Sequence, residues 1–324
     1  MTYNLYWPVY QNLERELLEL ANQIHFDDQQ VNVYSVKLAE LLMRCSTEIE
    51  SISKALYKDL GGDMCPIDTK TGQKRSLYFD TDCIDLLQKN WFIGEKEVGV
   101  VAKNFYFTDD KYCKLTPLHN ANKRDRCSWK KAYQAVKHNR TENLCKATVG
   151  NVIQALGALY LLNIYYMNET LKSPKPYVKT VSNTSFDSDI FSVFATHEIP
   201  DCVSAVMEKD GYKKYTYLMI ADEHKLEEIR KIQVEEMEKA KSIVLSAISE
   251  ATLRGEEISS NKSNLIELAY DIGGIELVRR VIGVLSHIVS YAKIHRTGVL
   301  NKHQMVYGKN LPEPEYETTQ FDGL

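Results

Sequence analysis

Between Ala147 and Met167 runs ATVGNVIQALGALYLLNIYYM, 21 residues without one charge. So apolar a stretch belongs either in a bilayer or at the centre of a protein, and it is long enough for both. Thr148, Asn151, Gln154 and Asn163 interrupt it, and three tyrosines stand toward its end. Polar groups are costly at mid-membrane depth, so the expectation is a helix enclosed by other helices, with no membrane association. Gly150 and Gly157, seven apart, leave room for a neighbouring helix to approach closely.

A central helix needs partners, and the chain supplies them. Trp7, Leu13, Leu17, Leu18, Leu20, Ala21 and Ile24 form one helical stripe. Val36, Leu38, Leu41, Leu42, Cys45, Ile49, Ile52 and Leu56 form a second, which the glycines and proline of GGDMCPIDTKTGQ end. A pair of long antiparallel helices is expected here. Residues 61–128 read as an irregular insert holding a short helix at TDCIDLLQKNW and a strand within Glu97 to Phe107. A third helix runs from Trp129 to about Arg140 and a fourth from Leu144 to Met167, with a bend near NRTEN. KSPKPYVKTVSNTSFDSD (172–189) reads as a linker. Beyond it come a strand at KKYTYLMIAD, a charged helix from His224 to about Thr252, and a helix pair from Asn264 to about His295, broken near Gly273 and Gly274.

The fold expected is mainly α. A helical bundle occupies 1–171 with the insert at 61–128, and a mostly helical module with one or two strands fills 190–324.

Composition narrows the function. Seven cysteines, an odd number with no C-x-x-C pair, suit neither a disulfide framework nor a zinc ribbon, so a reducing cytoplasm is expected. MTYNLYWPVYQNLERELLEL lacks a basic start followed by an apolar core, and no secretory signal is expected. No Gly-x-Gly-x-x-Gly after a strand, no P-loop, no nucleophile elbow and no metal-ligand spacing occur. Neither a cofactor nor a metal is expected.

The charge is uneven. Between Lys114 and Arg140 stand Lys114, Lys123, Arg124, Arg126, Lys130, Lys131, Lys137 and Arg140 against Asp125, a local +7 in a chain of net −4, which leaves −11 elsewhere. Such a patch attracts polyanions while the remaining surface repels them. The plainer reading is a solvated helix face. On a regular helix Trp129, Tyr133, Val136 and Arg140 share one face, while Lys131, Gln134 and His138 share the other.

Lys137, His138 and Arg140 close together offer what metal-free RNA cleavage needs. An imidazole takes the 2′-OH proton, and cations stabilise the phosphorane charge. Against this, a histidine at a helix end and cations facing water need no function at all.

The segments VYSVKLAELLMRCSTEIESISKALY, WKKAYQAVKHNR and the apolar helix, over roughly 7–60 and 129–168, together resemble the HEPN superfamily of bacterial helical bundles, in particular members with a Lys-His-x-Arg run. The resemblance implies a homodimer and a metal-independent endoribonuclease in phage defence or a toxin–antitoxin pair, with an antitoxin or other protein partner. His138 would be the general base, and Lys137 and Arg140 would hold the phosphate. Lys123, Arg124, Arg126, Lys130 and Lys131 would bind the nucleic acid.

The chain departs from the superfamily's usual Arg-x4–6-His signature, since Arg126 stands too far before His138 and Arg140 stands after it. Arg280 and His287 match it formally, as a chance pair would. His119 could complete an acid/base pair with His138, and Tyr106, Tyr112 or Tyr133 could stack on bases. His197 and the KIHR run, Lys293 to Arg296, have no partner visible in sequence. A non-enzymatic helical protein docking an acidic partner is the alternative.

Overall fold

The computed structural model describes residues 4–68, 70–124, 126–172, 181–197, 211–221, 223–255, 264–291 and 296–302. The chain is mainly helical with a small sheet. Contacts divide it into two units, the first gathering 1–171, 179–219 and 298–311, the second 172–178, 220–297 and 312–324.

The first unit is built round the apolar segment, which forms helix α7, Val149–Met167. From Ala155 to Tyr165 every residue is buried, so this part of the helix has no solvent face. Among the described residues no helix is long and apolar enough to cross a membrane. Thr148 caps α7 by accepting from the Asn151 N–H at 3.3 Å, and Asn168 closes it in the left-handed conformation at φ 52°.

Round α7 pack α1 (Tyr6–Ala21), α2 (Val36–Asp59) and α5 (Ser128–His138), the expected partners, through one continuous apolar core. Ser35 caps α2 by accepting from the Leu38 N–H at 3.1 Å. The glycines of α7 serve a different neighbour from the helix expected. Gly150 donates to the Val31 carbonyl at 2.9 Å, and Gly157 lies against Phe191 and Leu115, which belong to strands.

Between α2 and α5 the insert contains a π-helical turn (Phe79–Ile84), α3 (Asp85–Trp91) and α4 (Asp110–Cys113). It also holds strands β2 (Val98–Val100), β3 (Phe105–Tyr106) and β4 (Lys114–Leu115), and β3 pairs in parallel with β1 (Phe26–Asp27). It is not a self-contained insert. β2 pairs antiparallel with β7 (Phe191–His197), Val98 opposite Val193, which draws the part of the chain expected in the C-terminal module back onto the first unit. A three-residue strand is stable only when paired, and β7 supplies the longer edge.

The expected linker likewise contains a strand, β6 (Val181–Thr184), paired with β7; positions 173–180 lie outside the described residues. Strand β8 (Tyr217–Ala221) runs parallel to β7, and the order continues through β9 (Arg296–Leu300) to β5 (Leu171–Lys172). A buried carboxylate ties α1 to this sheet. Glu14 Oε1 accepts from the Tyr10 hydroxyl at 2.7 Å, the Ser188 hydroxyl at 2.5 Å and the Ile190 N–H at 3.0 Å.

The second unit contains α8 (Glu223–Leu253) and α9 (Leu265–Tyr291), close to the boundaries read from sequence. Ala240, Val244, Ala269, Leu277 and Val281 form its core. The break expected at the paired glycines is at Gly274, whose φ of 60° and ψ of −153° only glycine adopts readily.

Candidate functional site

The basic segment ends where two helices fail to join. Helix α5 stops at His138, and Asn139 leaves helical geometry at φ −151° and ψ 89°. A new short helix, α6 (Arg140–Asn143), then starts, capped by the Asn139 side chain accepting from the Glu142 N–H at 3.3 Å. The Asn139 carbonyl takes both the Asn143 N–H at 3.1 Å and its side-chain amide at 2.9 Å. One asparagine therefore ends α5, starts α6 and sets Lys137 and His138 on one side of the break and Arg140 on the other.

The inner face of α5 is as expected: Trp129, Tyr133 and Val136 are buried. Arg140 does not continue that face, because the helix has ended, and its side chain is exposed. His138 is exposed with Lys131 on the opposite face. Among the described residues neither His138 nor Arg140 makes a hydrogen bond or an ion pair, so no protein group fixes the imidazole tautomer.

Lys137 is held more firmly. Its Nζ lies 5.2 Å from the centre of the Tyr133 ring, and that hydroxyl donates to Glu50 Oε1 at 3.2 Å. The hydrogen bond to Tyr133 is the first cause raising the Lys137 pKa above the ordinary lysine value, while burial above all raises that of Tyr133. Glu50 is a member of this site that sequence reading missed. It stands 83 positions from Tyr133, beyond the reach of any local pattern.

The other expected cations divide. Lys123, Arg124, Arg126 and Lys131 are exposed and pair with no carboxylate among the described residues. Lys130 is a correction to the nucleic-acid-binding group. It is 4% exposed, and its Nζ donates to Asp80 Oδ2 at 2.9 Å and to the carbonyls of Ala121 and Lys123 at 2.8 Å each. All three ammonium protons are used in fastening the insert to α5, and none is left for a phosphate. The chemical reason is its position beside Trp129, whose indole N–H donates to Pro117 O at 2.8 Å on the same buried side.

His119 is exposed, and no hydrogen bond or ring contact links it to His138. Tyr133 is buried, Tyr106 stacks on His25 at 4.5 Å, and Tyr112 packs against Phe107 at 5.6 Å, so each already has a partner within the fold. Arg280 is exposed on α9. The side chains of His287 and His197, and residues 293–295 of the KIHR run, lie outside the described residues. Among the described residues no group of three or more His, Cys, Asp or Glu could hold a metal ion.

Chemically, the α5–α6 junction brings Lys137, His138 and Arg140 to the surface within four positions of the chain. Lys137 and His138 occupy the C-terminal turn of α5, where cations also offset the helix dipole. Comparison with protein-family models, curated proteins and solved structures gives no match.

Proposed function

We propose that the protein is an RNA-binding effector of HEPN-like build, with the α5–α6 junction and the loop before α5 as its phosphate-facing surface. The observation that carries this is the set of exposed cations Lys123, Arg124, Arg126, Lys131 and Arg140, none paired with a carboxylate among the described residues, on a chain of net charge −4. The packing of α1, α2, α5 and α7 supports the HEPN-like part of the reading. Cleavage, where it occurs, uses His138 as general base, with Arg140 and Lys137 on the phosphate. The imidazole is then oriented by the RNA or by a second copy of the chain, since no partner for it stands among the described residues.

The test is incubation of the protein and its His138→Ala variant with bacterial RNA in EDTA, with analysis of fragment ends. Fragments ending in 2′,3′-cyclic phosphates, reduced about a hundredfold or more in the variant, are the cleavage outcome. Binding without fragments, weakening steeply with salt, is the binding-only outcome. Retention on neither RNA nor heparin rejects both.

A second reading is favoured by one observation, the absence of an orienting group at His138 among the described residues. The basic strip then docks an acidic protein partner. It predicts a complex that resists nuclease and dissociates in salt.

A further inference from the structure

Away from the basic surface, the far ends of α2 and α7 enclose a cleft of about 260 Å³. Leu56, Asp59 and Leu60 of the α2 end line it together with Trp91, Tyr165, Asn168 and Lys302. The aromatic wall is rigid, for Trp91 and Tyr165 stack at 5.0 Å and 23°, and the Tyr165 hydroxyl is fixed by donating to Asn301 O at 3.1 Å. Lys302 Nζ stands 5.1 Å over the Trp91 ring and donates to Asn168 Oδ1 at 2.9 Å.

The informative feature is a pair of opposite charges that share the cleft without joining. Asp59 and Lys302 both line it, yet no ion pair connects them, and the lysine is satisfied by a neutral amide and a ring face. The carboxylate is close enough to act on the ammonium: burial lowers the Lys302 pKa and the Asp59 charge opposes that shift. Two opposite charges that line one small cleft without pairing leave both available to a molecule that carries both signs.

Elimination identifies that molecule. A simple anion would meet Lys302 but would be opposed by Asp59 and by the C-terminal ends of α2 and α7, which carry partial negative charge. A simple cation would suit Asp59 and those ends but would be opposed by Lys302. A neutral apolar molecule would shield both charges from water and pair neither. Size sets the remaining limit, because the cleft falls just under the roughly 300 Å³ at which sites for drug-sized ligands begin.

We infer that this cleft binds a small zwitterion, a free α-amino acid with an apolar or aromatic side chain. Lys302 takes its carboxylate, Asp59 and the helix ends take its ammonium, and Leu56, Leu60 and the Trp91–Tyr165 stack take its side chain. The inference does not depend on the RNA reading, and either can fail alone.

Titration calorimetry of the full chain with L-leucine and L-phenylalanine at millimolar concentration tests it. N-acetyl-L-leucine, which lacks the ammonium, and L-leucinamide, which lacks the carboxylate, are the comparison ligands. Saturable binding of a free amino acid is expected, weakened at least about tenfold in each blocked analogue, in Asp59→Asn and in Lys302→Met, since each removes one charge-assisted interaction. Circular dichroism and melting of the unliganded variants confirm that they are folded. Absence of saturable binding, equal or tighter binding of either blocked analogue, or full affinity in both folded variants overturns the inference.

Discussion

The two ends of helix α5 carry the same kind of residue to opposite purposes. At its root Lys130 is enclosed, with a carboxylate and two carbonyls round its ammonium; at its tip Lys137 and His138 are exposed, as is Arg140 just past the break. Lys130 and Lys131 are adjacent in sequence, yet one faces Asp80 and the other water. The difference teaches that a run of cations is not one feature. Helical rotation of 100° between neighbours decides which charge holds the fold and which remains free to meet a partner.

The comparison is broken most forcefully at the root. Lys130→Met should destabilise the protein by roughly 3 to 5 kcal/mol, because it strands the Asp80 carboxylate and two carbonyls without their donor. Denaturant unfolding followed by tryptophan fluorescence measures this. A change below about 1 kcal/mol would show that the root is no more structural than the tip.

A third lysine sharpens the contrast, since Lys96 is fully buried with one acceptor, the Lys213 carbonyl at 2.8 Å. Burial lowers its pKa to about 7, against the small opposing effect of Glu95. The unfolded chain keeps this proton up to the ordinary lysine range while the folded chain releases it near 7, so between those values the unfolded state binds more protons. Stability should therefore rise with pH from about 7 to about 10, and Lys96→Met should flatten that rise by on the order of 4 kcal/mol. Melting temperatures of the two proteins across this range provide the check; parallel curves would mean that Lys96 keeps its proton in the fold.

How much of the fold and the site is legible in the sequence follows from the range of each interaction. The stripes of α1, α2 and α7, the buried face of α5 and the break at Gly274 are local patterns, fixed by side chains a few positions apart, and the sequence displays them. Strand β7 escapes such reading because Phe194 interrupts the alternation of Phe191, Val193 and Ala195 with Ser192 and Thr196, and because its partner Val98–Val100 lies more than 90 positions away in the chain. The break at Asn139 is visible as a polar turn. The burial of Lys130 and the bond to Glu50 are not, for both depend on partners 50 or more positions away.

The break itself is open to a milder test. Asn139→Ala removes the cap of α6 and should cost about 1 kcal/mol. Alanine also favours helix, so α5 would tend to continue through position 140 and turn Arg140 toward the face that Trp129, Tyr133 and Val136 bury. RNA affinity should then fall with little change in the far-ultraviolet helix signal. Unchanged affinity would mean that the position of Arg140 relative to His138 does not matter to binding.

The smallest effects on stability are expected at the exposed cations. Replacing Lys123 or Lys131 with methionine should move stability by no more than about 0.5 kcal/mol, because among the described residues neither side chain holds a partner that would be left unsatisfied. The same replacements should weaken RNA binding equally for all sequences. They should also lower the slope of log affinity against log salt by about 0.7 for each single-strand phosphate that the removed cation neutralises. Stability and salt slope thus vary in opposite directions along one helix. A residue that scores in the first and not the second belongs to the root; the reverse belongs to the tip. Lys137, over the Tyr133 ring yet exposed, should register weakly in both, and measuring the two quantities on Lys137→Met locates where along α5 the fold ends and the proposed binding surface begins.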